Sequence, residues 1–162
     1  MNCAIISNIQ LYSGVRIDRL EKTHPELRDL LHTELEALIT EGCTCFYTNG
    51  EYGVPLLCAE LLSQMQPHRN ITLHMVFPFE EQANDWSERV REIFFTLHCH
   101  AEDSEIHFTH YRPDCYALTD RYLIECSDMV FIPSLPGSCQ DAERYACSLR
   151  KRIRRLTIDL RP

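Results

Sequence analysis

Short apolar runs alternate with amphipathic segments along most of the chain. Asn2–Ser7 (NCAIIS) reads as a first strand. Over Pro25–Glu41, the residues Leu27, Leu30, Leu31, Leu35, Leu38 and Ile39 fall on one stripe at helical spacing. Thr23 with Glu26 has the form of a capping box, and Gly42 suits the stop. Cys43–Thr48 reads as a second strand and Val54–Met65 as a helix. Ile71–Phe77 is a third strand. Pro78 then opens a long helix to about His98, with Trp86, Val90, Ile93, Phe94 and Leu97 on its inward stripe. Glu105–Thr109 is a weaker strand, Pro113–Ser127 a helix and Met129–Pro133 a strand. Gly137 or Ser138 to Arg152 is the last helix, and Leu156–Leu160 the last strand.

Strands alternating with helices predict an α/β fold. It is a three-layer domain with a mainly parallel sheet of about six strands, because each crossover returns over the sheet with one hand. The 162 residues are the length of one domain. Parallel sheets of this kind bind ligands beyond the carboxyl ends of their strands. The loops to inspect are therefore Ser7–Ser13, Asn49–Gly53, Pro78–Gln82, His110–Asp114 and Ser134–Ser138.

Composition narrows the picture. Apolar residues make up 44% and charged residues 25%, a globular balance. No apolar run approaches the roughly 20 residues of a membrane span. Met1–Gly14 lacks the basic start and long apolar stretch of a signal peptide, so a soluble, cytoplasmic protein is expected. Residues 1–143 carry 9 Lys and Arg against 23 Asp and Glu, whereas residues 144–162 carry 7 against 1. The acidic body repels a nucleic-acid backbone, so nucleic acid is not an expected partner. The basic run Arg150–Arg155 is read as cations at a helix C-terminus, where the dipole favours them, with a partner site as the other reading. Nine cysteines with no CxxC pair read as buried, reduced thiols, and Cys43 and Cys45 as facing one side of their strand.

Two loops carry chemistry. Thr48-Asn49-Gly50-Glu51-Tyr52-Gly53 joins a strand to a helix, and its glycines would let backbone N–H groups turn toward an anion. Ser134-Leu135-Pro136-Gly137-Ser138 follows the same logic. Neither a Walker A loop nor a GxGxxG fingerprint occurs, and no cofactor is expected. His98-Cys99-His100 cannot converge from one helix, so no metal is expected.

Four segments in order carry a family resemblance. Pro78-Phe79-Glu80-Glu81-Gln82 through Trp86 is similar to a P-F-x-x-Q-x-x-x-W run, and Arg121-Tyr122-Leu123-Ile124-Glu125-Cys126-Ser127-Asp128 to R-Y-M-V-D-x-S-D. The Asn49–Gly53 loop through Ala59-Glu60 is similar to G-G-A-x-G-x-D then A-E. Pro136-Gly137-Ser138 with Tyr145-Ala146 is similar to G-G-T then Y-A. Together they resemble the YpsA-type branch of the SLOG superfamily, Rossmann-like proteins related to the cytokinin-activating LOG enzymes and to DprA, over about Cys3 to Ile158. The chain departs from the pattern in its loops. Ile6-Ser7-Asn8-Ile9 stands in place of T-G-H-R, Asn49-Gly50-Glu51 in place of G-G-A, Pro55 in place of an aspartate, and Thr119-Asp120 in place of Arg-Asn. Glu51 and Asp120 add negative charge where a phosphate would lie.

The resemblance implies a pocket for a nucleotide or nucleotide-derived small molecule, with ligand-binding residues Ser7, Asn8, Thr48, Asn49, Gly50, Glu51, Gly53, Gln82, Thr119, Asp120, Pro136, Gly137 and Ser138. It also implies that LOG-type hydrolysis of nucleoside monophosphates is one reading, with Glu60, Arg121, Asp128 and Glu143 as candidate catalytic groups. Thr119 stands where those enzymes have their arginine, and Arg121 lies about 200° further round the helix. The altered loops favour a ligand-binding sensor or regulatory module without turnover. A scaffold for a protein partner is the third reading, and a homo-oligomer is admitted.

Overall fold

The computed structural model of the protein describes residues 1–9 and 25–159. In chain order these form β1 (Asn2–Ile5), α1 (Glu26–Thr40), β2 (Cys45–Thr48), α2 (Val54–Met65), β3 (Thr72–Phe79) and α3 (Glu88–His100). Then come β4 (Asp103–Phe108), α4 (Cys115–Glu125), β5 (Met129–Ser134), α5 (Gln140–Ser148) and β6 (Arg152–Thr157). The strands build one six-stranded sheet in the order β4-β3-β2-β1-β5-β6, and every pairing is parallel. This is the three-layer, Rossmann-like α/β architecture that the alternation predicts. The chain steps outward from β1 to β4, then returns to the other side of β1 for β5. The strand order therefore reverses between β1 and β5.

Side chains alternate across the sheet, and the apolar ones divide into two cores. Cys3, Ile5, Phe46, Met75 and Phe131 join Leu31 and Leu35 of α1, Leu62 of α2 and Phe94 of α3. Ala4, Ile6, Val76, Val130 and Ile132 join Leu123 and Ile124 of α4 and Ala146 of α5. Helix α1 ends as its leucine stripe runs out. The Gly42 N–H bonds to the Ile39 carbonyl and the Cys43 N–H to the Leu38 carbonyl, a Schellman pair. The Thr23 half of the expected capping box lies outside the described residues.

Four elements differ from the sequence expectation. β3 continues through Pro78 to Phe79, and the next helix starts only at Glu88. β2 pairs with β3 no further than Met75, so Pro78 sits where β3 has β4 as its only neighbour and no ladder bond is lost. Trp86 consequently precedes α3 instead of lying on its stripe, yet it still packs on the core, edge-on to Phe94 at 5.1 Å. At the other end, α5 stops at Ser148 and the arginines lie on the edge strand β6 rather than at a helix C-terminus. They are neutralised locally. Arg154 pairs with Glu34 and Glu41, and Arg155 with Glu143. Charges along an edge strand also discourage edge-to-edge pairing.

The cysteines divide as well. All nine are free thiols, but only Cys3, Cys43, Cys58 and Cys115 are buried, and Cys99 and Cys147 are exposed. Cys43 precedes β2 and packs beneath the helices with Cys3, while Cys45 pairs with Tyr47 on the opposite face. Strand alternation does not extend back to Cys43.

Candidate functional site

At the reversal between β1 and β5 lies a cavity of about 740 Å³. β1 contributes Ile6, Ser7 and Asn8 through the residues that follow it, and α4 contributes Asp120 and Arg121. Gly137, Cys139, Gln140, Asp141, Ala142, Arg144 and Tyr145 close it from the β5–α5 side. The β5–α5 connection is a Leu135–Ser138 turn. The Ser138 N–H bonds to the Leu135 carbonyl, with Pro136 second and Gly137 third at φ +73°. This is the residue pattern of a type II turn, which needs positive φ at its third position. Pro136 has no N–H, and that of Ser138 is taken up in the turn. Among the described residues, the helix start of α5 brings further backbone donors beside the cavity. Its first intrahelical bond is Glu143 N–H to Cys139 carbonyl, so Gln140, Asp141 and Ala142 have no partner within the helix. Cys139 caps this start with φ +60°, and burial pushes its thiol up to about 11.

Asn49 ties this cavity to a second one. Its Nδ2 donates to Asp120 Oδ1 at 3.0 Å, and its Oδ1 accepts the Glu51 N–H at 2.9 Å. Its carbonyl accepts Gln82 Nε2 at 3.2 Å. The Gly50 N–H is held by Thr48 Oγ1. Two N–H groups of the Asn49–Gly53 loop are thus used within the loop, and Pro55 removes another at the start of α2. Gly50 stands at φ +62°, and a Cβ there would meet Met75 Cε at 2.8 Å. Burial pushes the Asp120 carboxyl up to about 7, against the opposing hydrogen bond from Asn49.

The second cavity, about 710 Å³, sits beyond the ends of β2, β3 and β4. Rings from Tyr52, Phe79, Trp86, Tyr111 and Tyr116 line it, with the carboxylates of Glu51, Glu81 and Asp85 and the amides of Gln82 and Asn84. Glu51 is buried in its wall.

The model for the YspA SLOG family matches residues 17–134. The chain belongs to the YpsA SLOG family. A UPF0398 protein of Bacillus cereus is 27% identical over 136 residues, spanning 78% of this chain and 74% of the relative. One from Halalkalibacterium halodurans is 30% identical over 118 residues, 69% of this chain and 62% of the relative. One from Enterococcus faecalis is 24% identical over 143 residues, 82% and 79%.

Against the YpsA family pattern, the two cavities gather some of the sequence candidates and leave others aside. Ser7, Asn8, Asp120 and Gly137 line the switch-point cavity, and Glu51 and Gln82 the aromatic one. Thr48, Asn49 and Gly50 form the buried loop between them. Gly53 caps α2, and Pro136 and Ser138 belong to the β5–α5 turn. Thr119 faces away, its Oγ1 3.0 Å from His107 Nδ1, while Arg121 reaches the cavity and stacks over Tyr145 at 5.4 Å. The helical rotation that separates the two residues is thus what delivers Arg121 rather than Thr119. Glu60 pairs with Arg28, Glu143 with Arg155, and Asp128 accepts the Asn2 N–H at the opposite end of the sheet. None of these three lines either cavity.

Sequence reading missed Arg144, Cys139 and Tyr116 as cavity residues. Tyr52 and Tyr111 lay in loops already marked by topology, and Tyr145 in a family block. Among the described residues, no three His, Cys, Asp or Glu side chains come together as metal ligands. Likewise, no helix is long and apolar enough to cross a membrane.

Proposed function

We propose that this chain binds a nucleotide-derived small molecule across these cavities, as a sensor or regulatory module without turnover. One observation carries the reading. Among the described residues, the N–H groups of Gln140, Asp141 and Ala142 have no backbone acceptor, and these residues open α5 in the same switch-point cavity as Arg121 and Arg144. A helix N-terminus and guanidinium groups together suit one anionic group such as a phosphate. Asp120 and Asp141 line the cavity too, and they disfavour a higher phosphate charge. The ligand's ring then extends past Asn49 toward the aromatic cavity. The absence of Glu60, Asp128 and Glu143 from the cavities favours binding without catalysis.

Isothermal titration with adenosine, its monophosphate and its diphosphate tests this. The monophosphate is expected to bind best, with Arg121→Ala weakening it. Tightest binding of the diphosphate, or no binding of any of the three, would refute the reading.

A second reading has one observation in its favour. Asp120, with its carboxyl near neutral pKa, shares the cavity with Arg121, as an acid–base group would. Hydrolysis of the N-glycosidic bond would consume one water and release adenine and ribose 5-phosphate from AMP. Release of adenine by the wild type, lost in Asp120→Asn, would establish this reading over the first.

A further inference from the structure

The switch-point cavity holds a carboxyl group whose surroundings fit its neutral form. Asp120 lies in the cavity wall on α4, and its hydrogen bond comes from the uncharged Asn49 amide at 3.0 Å. Among the described residues, no lysine, arginine or histidine forms an ion pair with it. Its neighbour Arg121 stacks over the Tyr145 ring at 5.4 Å instead. A carboxyl group desolvated without a cation favours its proton, and burial holds this one at about 7.

The groups that face Asp120 from the neighbouring elements do not offset this. Ser7 and Asn8, which follow β1, carry no charge. The β2–α2 loop brings Glu51, a second carboxyl group, whose N–H also bonds to Asn49. From α5 come Asp141, exposed and paired with Arg144, and Tyr145, whose hydroxyl donates to Glu125 and is held above its ordinary pKa by that bond. Burial keeps the Cys139 thiol protonated, and Asp120 and Glu51 add to that effect. His107 of β4 meets α4 at Thr119, on the side turned away from the cavity. Arg121 is left as a guanidinium in the cavity with no carboxylate partner among the described residues.

An anion drawn to Arg121 and the start of α5 thus meets a carboxyl group in the same cavity. Bound negative charge raises the proton affinity of that group further. We propose that the switch-point cavity takes up its anion together with a proton on Asp120, so that pH sets the affinity of the site for anions. This deepens the anion end of the reading above, on which it rests, and supplies its regulation: the site fills as the surroundings acidify. Linkage makes the coupling reciprocal, so anion binding draws in protons wherever the free site has lost its own.

Sulfate is the probe, because it has no proton to gain or lose near neutral pH. A pH-stat records the acid needed to hold pH 7.5 as sulfate replaces chloride at constant ionic strength. Wild type is expected to take up about half to one proton per bound sulfate. In calorimetric titrations its sulfate affinity should fall about tenfold from pH 6 to pH 8. Asp120→Asn keeps an oxygen for Asn49. It should take up no proton, show no such pH dependence, and bind sulfate at pH 8 about as tightly as wild type does at pH 6. Arg121→Ala should weaken sulfate binding at both pH values. The same proton uptake in wild type and Asp120→Asn, a wild-type affinity independent of pH, an unchanged affinity in Arg121→Ala, or no sulfate binding would each overturn the proposal. Adenosine monophosphate titrated in parallel separates the two readings. If it fails to bind while sulfate binds with a proton, the nucleotide reading alone is rejected. If it binds with equal proton uptake in wild type and Asp120→Asn, the proton coupling alone is rejected.

Discussion

Asn49 Nδ2 holds Asp120 Oδ1 at 3.0 Å, joining the end of β2 to α4 across 71 residues of chain. This bond stabilises the ionised carboxylate, but burial outweighs it and the pKa rises to about 7. The folded state therefore keeps a proton that the unfolded chain releases near its ordinary carboxylate value of 3.8. Stability from this group is fully present below about pH 4 and is lost as pH rises to about 7. At about 1.4 kcal/mol per pKa unit the loss reaches at most about 4 kcal/mol, less where water reaches the partly exposed residue. Denaturant titrations of wild type and Asp120→Asn at pH 4, 5.5 and 8 measure it. The variant keeps an oxygen for Asn49, so it should be more stable at pH 8 and lack this slope. Parallel curves for the two proteins would contradict the assignment.

Charge at the switch-point cavity should tune anion affinity in both directions. A unit-charge pair at about 5 Å and an effective dielectric of about 20 interacts by roughly 3 kcal/mol. At pH 8, where its carboxyl is ionised, Asp120→Asn is therefore expected to strengthen binding of adenosine monophosphate, and Arg121→Ala to weaken it about tenfold or more. Glu60→Ala, which removes one partner of Arg28 away from both cavities, should change nothing. Calorimetric titration of the three variants against wild type checks the set.

Trp86 is half-buried and lies against Phe94 and Tyr52. Full burial of such a side chain would make Trp86→Ala cost about 3–5 kcal/mol. With one side open to the cavity, about 2 kcal/mol is expected. Urea unfolding followed by circular dichroism gives the value, and a change below about 0.5 kcal/mol would show that its ring contacts do not persist in solution.

Gly50→Ala sets two effects against the fold. Its φ of +62° strains any residue with a Cβ by about 1–2 kcal/mol. The new methyl would also press on Met75 Cε, the mobile end of a flexible side chain, so the added steric cost is small. A midpoint shift equivalent to about 1–3 kcal/mol is expected. Gly137→Ala has the same kind of backbone strain but no neighbour within 4 Å, and should cost less.

Arg154→Ala tests the basic edge strand. Arg154 bridges Glu34 and Glu41 at 2.8 and 2.7 Å, with all three side chains partly exposed. About 1 kcal/mol of lost stability is expected at low salt, shrinking toward zero near 1 M salt as screening removes the interaction.

Much of the frame is legible in residue order. The leucine stripe of Leu27, Leu31, Leu35 and Leu38 marks α1 without reference to anything distant, because helical period and burial coincide there. The alternation of Cys3 and Ile5 against Ala4 and Ile6 appears in the structure as two separate cores. Repeated strand–helix units dictate a parallel sheet, and hence which loops lie at its carboxyl edge. These are properties of short windows, and local geometry enforces them. Pro78 shows the limit of that logic. Locally it reads as a helix start, but it lies in a strand because β2 ends early and leaves its missing N–H without consequence. The arginines of β6 likewise read as a helix end until Glu34, Glu41 and Glu143 arrive from elsewhere in the chain. Loop chemistry depends most on such distant partners. Turn hydrogen bonds already occupy the N–H groups of Gly50, Glu51 and Ser138, and the α4 rotation turns Arg121 inward and Thr119 away. Which donor remains free and which carboxyl is desolvated are settled by three-dimensional neighbours, because hydrogen bonding and burial act through space rather than along the chain.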